Sequence, residues 1–146
     1  MLVIQRIQSL FLLLSSAAFW TEFALPFATT DVASQGVMND LVYNIHDSPV
    51  LIGLTIIGGL VTLSAIFLFN NRPLQKRLSY LGVVMAILLP LIAFLLIYNE
   101  RTGDALSTIN YDLGIFPPLV ALIFAVLAGR AIGKDDKLVK SMDRLR

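Results

Sequence analysis

Four apolar runs, each close to free of charge, alternate with short polar segments along this chain: residues 7–27, 50–69, 78–98 and 114–131. Each is near the ~20 residues with which an α-helix crosses a ~30 Å hydrocarbon core. The pattern predicts an all-α, polytopic membrane protein: a four-transmembrane-helix bundle with a basic, helical C-terminal tail. Between the runs lie a polar loop at 28–49, a short turn at 70–77 and a second loop at 99–113, with the tail at 132–146. Composition sharpens this, because 57% hydrophobic and only 14% charged residues, with a mean hydropathy of +0.80, lie outside the ordinary soluble range. A single membrane domain over 1–146 accounts for the whole length.

Local signals punctuate the runs. Arg6 followed by an apolar core at 10–19 has the outline of a secretory signal peptide, but no Ala-x-Ala site follows. The first run is therefore read as an uncleaved span, with Trp20, Phe23 and Phe27 near its far interface and Pro26 ending it. Ser48 as N-cap and Pro49 as first helical residue open the second run. Asn70-Asn71-Arg72-Pro73 closes it in a tight turn. Pro90 removes the amide that would bond to the Ala86 carbonyl, which predicts a kink in the third span. The fourth opens at Pro117-Pro118, and its fifteen-residue apolar core, 115–129, rises only about 22 Å. Arg130 is then expected to snorkel to the head groups.

Small residues mark two packing faces. Thr55, Gly58, Thr62 and Ala65 share one face of span two, and Ala121, Ala125, Gly129 and Gly133 recur every four residues in span four. Such stripes let another helix approach closely, although the span-two stripe also suits a narrow pathway. In the first loop Val37, Leu41 and Ile45 repeat every four residues, a spacing that fits a short amphipathic surface helix.

Charge sets the orientation. Arg6, Arg72, Lys76, Arg77, Arg130, Lys134, Lys137, Lys140, Arg144 and Arg146 fall on one side, and Arg101 alone on the other. Ten against one predicts both termini in the cytoplasm by the positive-inside rule, with loops 28–49 and 99–113 outside. From Arg130 onward six cations against three acids leave +3. Leu138, Val139, Met142 and Leu145 make an apolar stripe there, and Asp136 and Lys140 form an acid-then-base pair four apart. The ten cations form a candidate interaction surface for anionic lipid head groups, or for a membrane or cytoplasmic protein partner. The modest charge and the lack of interleaved aromatics speak against specific nucleic-acid binding.

Candidate chemistry is sparse. With no cysteine and one histidine, His46, thiol redox chemistry, iron–sulfur clusters and bis-histidine haem are excluded. No phosphate loop, nucleophile elbow or zincin motif occurs. His46 and Asp47 with Asp31 or Asp40 match no metal-ligand spacing, and no cofactor or metal site is expected. Glu22 is the only acid expected within a span, about 24 Å along the helix from Arg6. The plainest reading is an interfacial, hydrated glutamate; a buried hydrogen-bonding group and a proton or cation site are the alternatives.

Three stretches carry a family resemblance. Ile4-Gln5-Arg6-Ile7-Gln8, the run Phe67-Leu68-Phe69-Asn70-Asn71-Arg72-Pro73-Leu74-Gln75, and Gly129-Arg130-Ala131-Ile132 with Lys134 to Ser141 and Asp143 to Arg146 resemble the signatures of domain of unknown function 4293. That resemblance implies a small four-helix protein of the bacterial inner membrane, of the Bacteroidota type, and brings no catalytic residues. A non-enzymatic structural or accessory subunit is the expected function. A small transporter or channel using Glu22, the Thr55, Gly58 and Thr62 face and the Pro90 kink is the alternative.

Overall fold

The computed structural model of the chain describes residues 2–31, 39–99 and 109–143. Four helices dominate it: α1 (Leu2–Thr21), α2 (Pro49–Phe67), α3 (Arg72–Asn99) and α4 (Phe116–Asp143). Each neighbours the next around the bundle, and α4 closes the ring against α1, so that α1 and α3 are diagonal. Each contains a window long and apolar enough to cross a membrane.

The packing is inverted relative to a water-soluble bundle. Many buried helix positions hold small or hydroxylated residues, including Ser15, Ser16, Thr55, Thr62, Ala121 and Ala125, beside a few large ones such as Leu12, Phe19, Leu51 and Leu89, whereas Leu10, Ile57, Leu60, Val84, Ile87 and Ile123 are about half exposed. A large apolar surface around a small-residue interior suits a lipid solvent, where close backbone approach holds helices together. Along α3 the buried residues are Gln75, Ser79, Gly82, Ala86, Leu89, Ala93 and Ile97. Spacings of three and four keep one seam turned inward, as in left-handed bundles.

Side-chain hydroxyls stitch the seams. Ser15 donates to the Ala121 carbonyl at 2.9 Å and Ser16 to the Gly59 carbonyl at 3.0 Å. Ser79 donates to the Ala125 carbonyl at 2.7 Å. Each such bond contributes about 0.6 kcal/mol between membrane helices. A Cβ at Gly58 would stand 2.6 Å from the Phe19 ring, and one at Gly59 3.0 Å from the Trp20 indole, so the aromatic face of α1 lies directly on the α2 backbone.

At one end the connecting segments form a cap that the hydrophobic pattern does not announce. Strands β1 (Ala28–Thr29), β2 (Val42–Tyr43) and β3 (Asn110–Tyr111) pair antiparallel in the order β2-β1-β3, with Ala28 opposite both Tyr43 and Tyr111. Both long loops thus join one sheet. Tyr43 is buried, lies 5.5 Å from the Phe27 ring and donates its hydroxyl to the Ala93 carbonyl at 3.1 Å, which ties the sheet to α3.

Several expectations change here. The surface helix suggested by Leu41 and Ile45 is replaced by strand β2 and a 3-10 turn at Ile45–Asp47, while Val37 lies outside the described residues. Leu41 takes a left-handed φ of 66°, and its carbonyl accepts from the Thr30 amide at 2.9 Å. Pairing with β1 overrides the four-residue spacing. Helix α3 begins at Arg72, not near residue 78, because Asn71 caps it, accepting from the Leu74 amide at 3.3 Å, and Pro73 suits a first turn. It runs on through Pro90 as one helix. Span and tail likewise form one helix: α4 passes Arg130 without interruption and spans roughly 42 Å, well beyond a hydrocarbon core.

Candidate functional site

At the end opposite the sheet, the start of α3 lies against the last turns of α4. Buried polar residues form a layer here: Gln8 from α1, Gln75 from α3 and Asp135 from α4. The Gln8 side-chain amide donates to the Ala131 carbonyl at 3.3 Å. Arg72 Nε lies 3.2 Å from Asp135 Oδ2, which ties the extension of α4 to the first turn of α3. Charge placement along α4 explains this arrangement. With 100° per residue, Arg130, Lys134 and Lys137 share an arc of roughly 60°, while Asp135 points to the opposite side, into the bundle.

The outward cations border a groove of about 730 Å³ across the outer face of α4. Lys76 joins them from α3. Its ammonium would lie 3.5 Å from a Cβ at Gly133 and stands 5.9 Å from the Tyr80 ring centroid. The groove thus takes Lys76, Arg130, Lys134 and Lys137 at its polar end, and Ile7, Phe11 and Leu127 at its apolar end.

Of the ten cations in the candidate surface, the structure brings these four together and places Arg72 in an ion pair with Asp135. Arg77 is exposed on the first turns of α3. Arg144 and Arg146 lie outside the described residues, as do the side chains of Arg6 and Lys140. Ala121 and Ala125 are fully buried and accept hydroxyls from α1 and α3 respectively, and Gly129 and Gly133 admit Tyr80 and Lys76. In span two Gly58 receives the Phe19 ring, and the buried Thr62 returns its hydroxyl to the Gly58 carbonyl at 2.8 Å. The Thr62 methyl group meets α3 at Gly82.

Gln8, Gln75 and Asp135 escape a reading by charge and hydropathy. Their signal is a mismatch: a glutamine at the start of the first apolar run, another just before the third, and an acid inside a basic segment, each in register with the buried seam.

Glu22 lies at the sheet end and departs from the hydrated interfacial reading. It is 1% exposed, and neither carboxyl oxygen has a hydrogen-bond partner. Depth along the helix axis is a poor guide to its surroundings. After Thr21 the chain enters a 3-10 turn at Glu22–Ala24, which packs against the Ile45–Asp47 turn. The Phe23 ring meets His46 edge-on at 5.8 Å there. His46 and Asp47 serve a local cap: Asn44 accepts from the His46 amide at 2.7 Å, and Asp47 from the Asn44 amide at 2.6 Å.

A bundle with a small-residue interior, an apolar exterior and four helices of spanning length defines a multi-pass membrane protein. The chain belongs to the family described as Domain of unknown function (DUF4293), whose model matches residues 4–145 and takes in all three signature stretches except the final Arg146. No curated protein and no solved structure matches it.

Proposed function

We propose that the chain is a non-enzymatic protein of the bacterial inner membrane, with both termini in the cytoplasm, working as a structural or accessory subunit through its basic end. Anionic lipid head groups are the contact this reading favours over a protein partner. One observation carries it: Lys76, Arg130, Lys134 and Lys137 border one groove, while Asp135 is turned inward to Arg72. A mixed-charge tail thereby presents its cations outward. Each cation near an anionic membrane surface contributes about 1 kcal/mol.

Thermal unfolding in lipid nanodiscs tests this. Replacing half of the phosphatidylcholine by phosphatidylglycerol should raise the midpoint by roughly 5 °C or more. Changing Lys76, Arg130, Lys134 and Lys137 together to Gln should remove most of that rise. Equal midpoints for the wild type in the two lipids would contradict the proposal.

A second reading, a small transporter or channel, is favoured by Glu22, a buried carboxyl without a hydrogen-bond partner in the bundle. Intramembrane acids commonly mark ion or proton paths. It requires that flux in proteoliposomes fall at least tenfold in Glu22→Gln; flux indifferent to that change removes the residue from any such role.

A further inference from the structure

Basic side chains at a membrane surface attract anionic lipid diffusely, and nothing in that attraction requires a site. The groove on α4 has features that a diffuse surface lacks. Four cations gather there from two helices, and Lys76 from α3 reaches across Gly133, where a Cβ would just touch its ammonium at 3.5 Å and a larger side chain would meet it. The Tyr80 ring stands beneath the Lys76 ammonium at 5.9 Å, holding it against the bundle by cation–π attraction.

The same groove continues away from the cations over Ile7, Phe11 and Leu127. Phe11 stacks on Phe124 at 6.1 Å, so this wall is continuous from α1 to α4. Along α4 the lining passes from Lys137 and Lys134 through Arg130 to Leu127, with Ile7 level with Arg130 beside the Gln8–Ala131 bond, so cations give way to apolar wall toward the middle of the span, in the order in which a phospholipid presents phosphate and acyl chain. A free phosphate would use only the first half.

We propose that this groove is a binding site for one anionic phospholipid, its phosphate held by Lys76, Arg130, Lys134 and Lys137 and one acyl chain laid over Ile7, Phe11 and Leu127. The proposal rests on the lipid-contacting reading of the basic end and adds a defined stoichiometry and a shape requirement. Asp136 does not oppose it, since helical geometry sets that residue roughly 120° round α4 from the centre of the cation cluster. Gly133 becomes the diagnostic position. A large side chain there fills the groove and displaces Lys76 while leaving every charge in place.

Native mass spectrometry of the full chain, exchanged from mild detergent into micelles with added dioleoyl phosphatidylglycerol or dioleoyl phosphatidylcholine, tests the site. The wild type should hold one phosphatidylglycerol at least tenfold more strongly than phosphatidylcholine. Lys134→Gln with Lys137→Gln should lower retention about tenfold, Gly133→Leu at least fivefold, and Gly133→Ala only slightly. Helical circular dichroism and a single gel-filtration peak confirm that each variant is folded. Inorganic phosphate at millimolar concentration should not displace the lipid. Retention in Gly133→Leu equal to wild type would overturn the groove while leaving diffuse lipid contact intact, and displacement by inorganic phosphate would assign the cations to a free anion. Equal retention of the two lipids, with no difference between the two nanodisc compositions, would overturn both proposals.

Discussion

Gly58→Leu should be the most damaging single substitution between α1 and α2. Even a Cβ at Gly58 would lie 2.6 to 2.9 Å from three atoms of the Phe19 ring, and Phe19 is itself fully buried. A leucine cannot be accommodated by rotating an exposed side chain away, so the two helices must separate. Separation also lengthens the Ser16 to Gly59 hydrogen bond, now 3.0 Å, and lifts Trp20 from Gly59. Overpacking of this kind costs about 1–3 kcal/mol, and more where backbone is moved. Thermal unfolding in detergent should show a midpoint lower by roughly 10 °C. Phe19→Ala in the same chain should recover part of the loss; a Gly58→Leu protein as stable as wild type would mean that Phe19 does not occupy that space.

Gly114→Val should have an effect of comparable size, at the sheet and by a different cause. A Cβ at Gly114 would overlap the Pro26 carbonyl and stand 2.9 Å from the Phe27 amide nitrogen, and these are backbone atoms with nowhere to go. The Gly114 amide donates to the Pro26 carbonyl at 2.8 Å and the Asp112 amide to the Phe27 carbonyl at 2.9 Å, so the same clash pulls apart the β1–β3 side of the sheet. The expected cost is about 2–4 kcal/mol. It should appear as faster hydrogen exchange at Ala28, Thr29 and Tyr111, with the amides in the middle of α2 and α3 unchanged. Uniform loss of protection along all four helices would instead make the cap part of one cooperative unit with the bundle.

The two substitutions fall on opposite sides of what the sequence makes legible. The four helices were readable because each run is long and nearly free of charge, and the stripe from Ala121 to Gly133 and the face with Gly58 and Thr62 were readable from spacing alone. Their partners were not. Ser15, Ser16 and Ser79 are ordinary serines in apolar runs until the bundle sets them beside the carbonyls of Ala121, Gly59 and Ala125.

The sheet was hidden for a related reason. Two-residue strands at Ala28–Thr29 and Asn110–Tyr111 are too short to show alternation, and they pair because the end of α1 and the start of α4 lie side by side. Glu22 shows the same limit. Its sequence position gives its height along α1, but the 3-10 turn and the neighbouring Ile45–Asp47 turn, which bury it, are products of the tertiary fold. At the basic end the cations were evident from counting, whereas the inward turn of Asp135 and the reach of Lys76 over Gly133 depend on the relative placement of α3 and α4.

Orientation joins these features to function, and the natural lack of cysteine allows it to be measured without removing any residue. Asn110→Cys would place a thiol on an exposed residue of β3, and Ser141→Cys one on an exposed residue near the end of α4. In intact spheroplasts a membrane-impermeant maleimide should label Asn110→Cys and leave Ser141→Cys unlabelled until the membrane is permeabilised. Labelling of Ser141→Cys in intact spheroplasts, with Asn110→Cys protected, would place the basic groove outside the cell and contradict the proposed function.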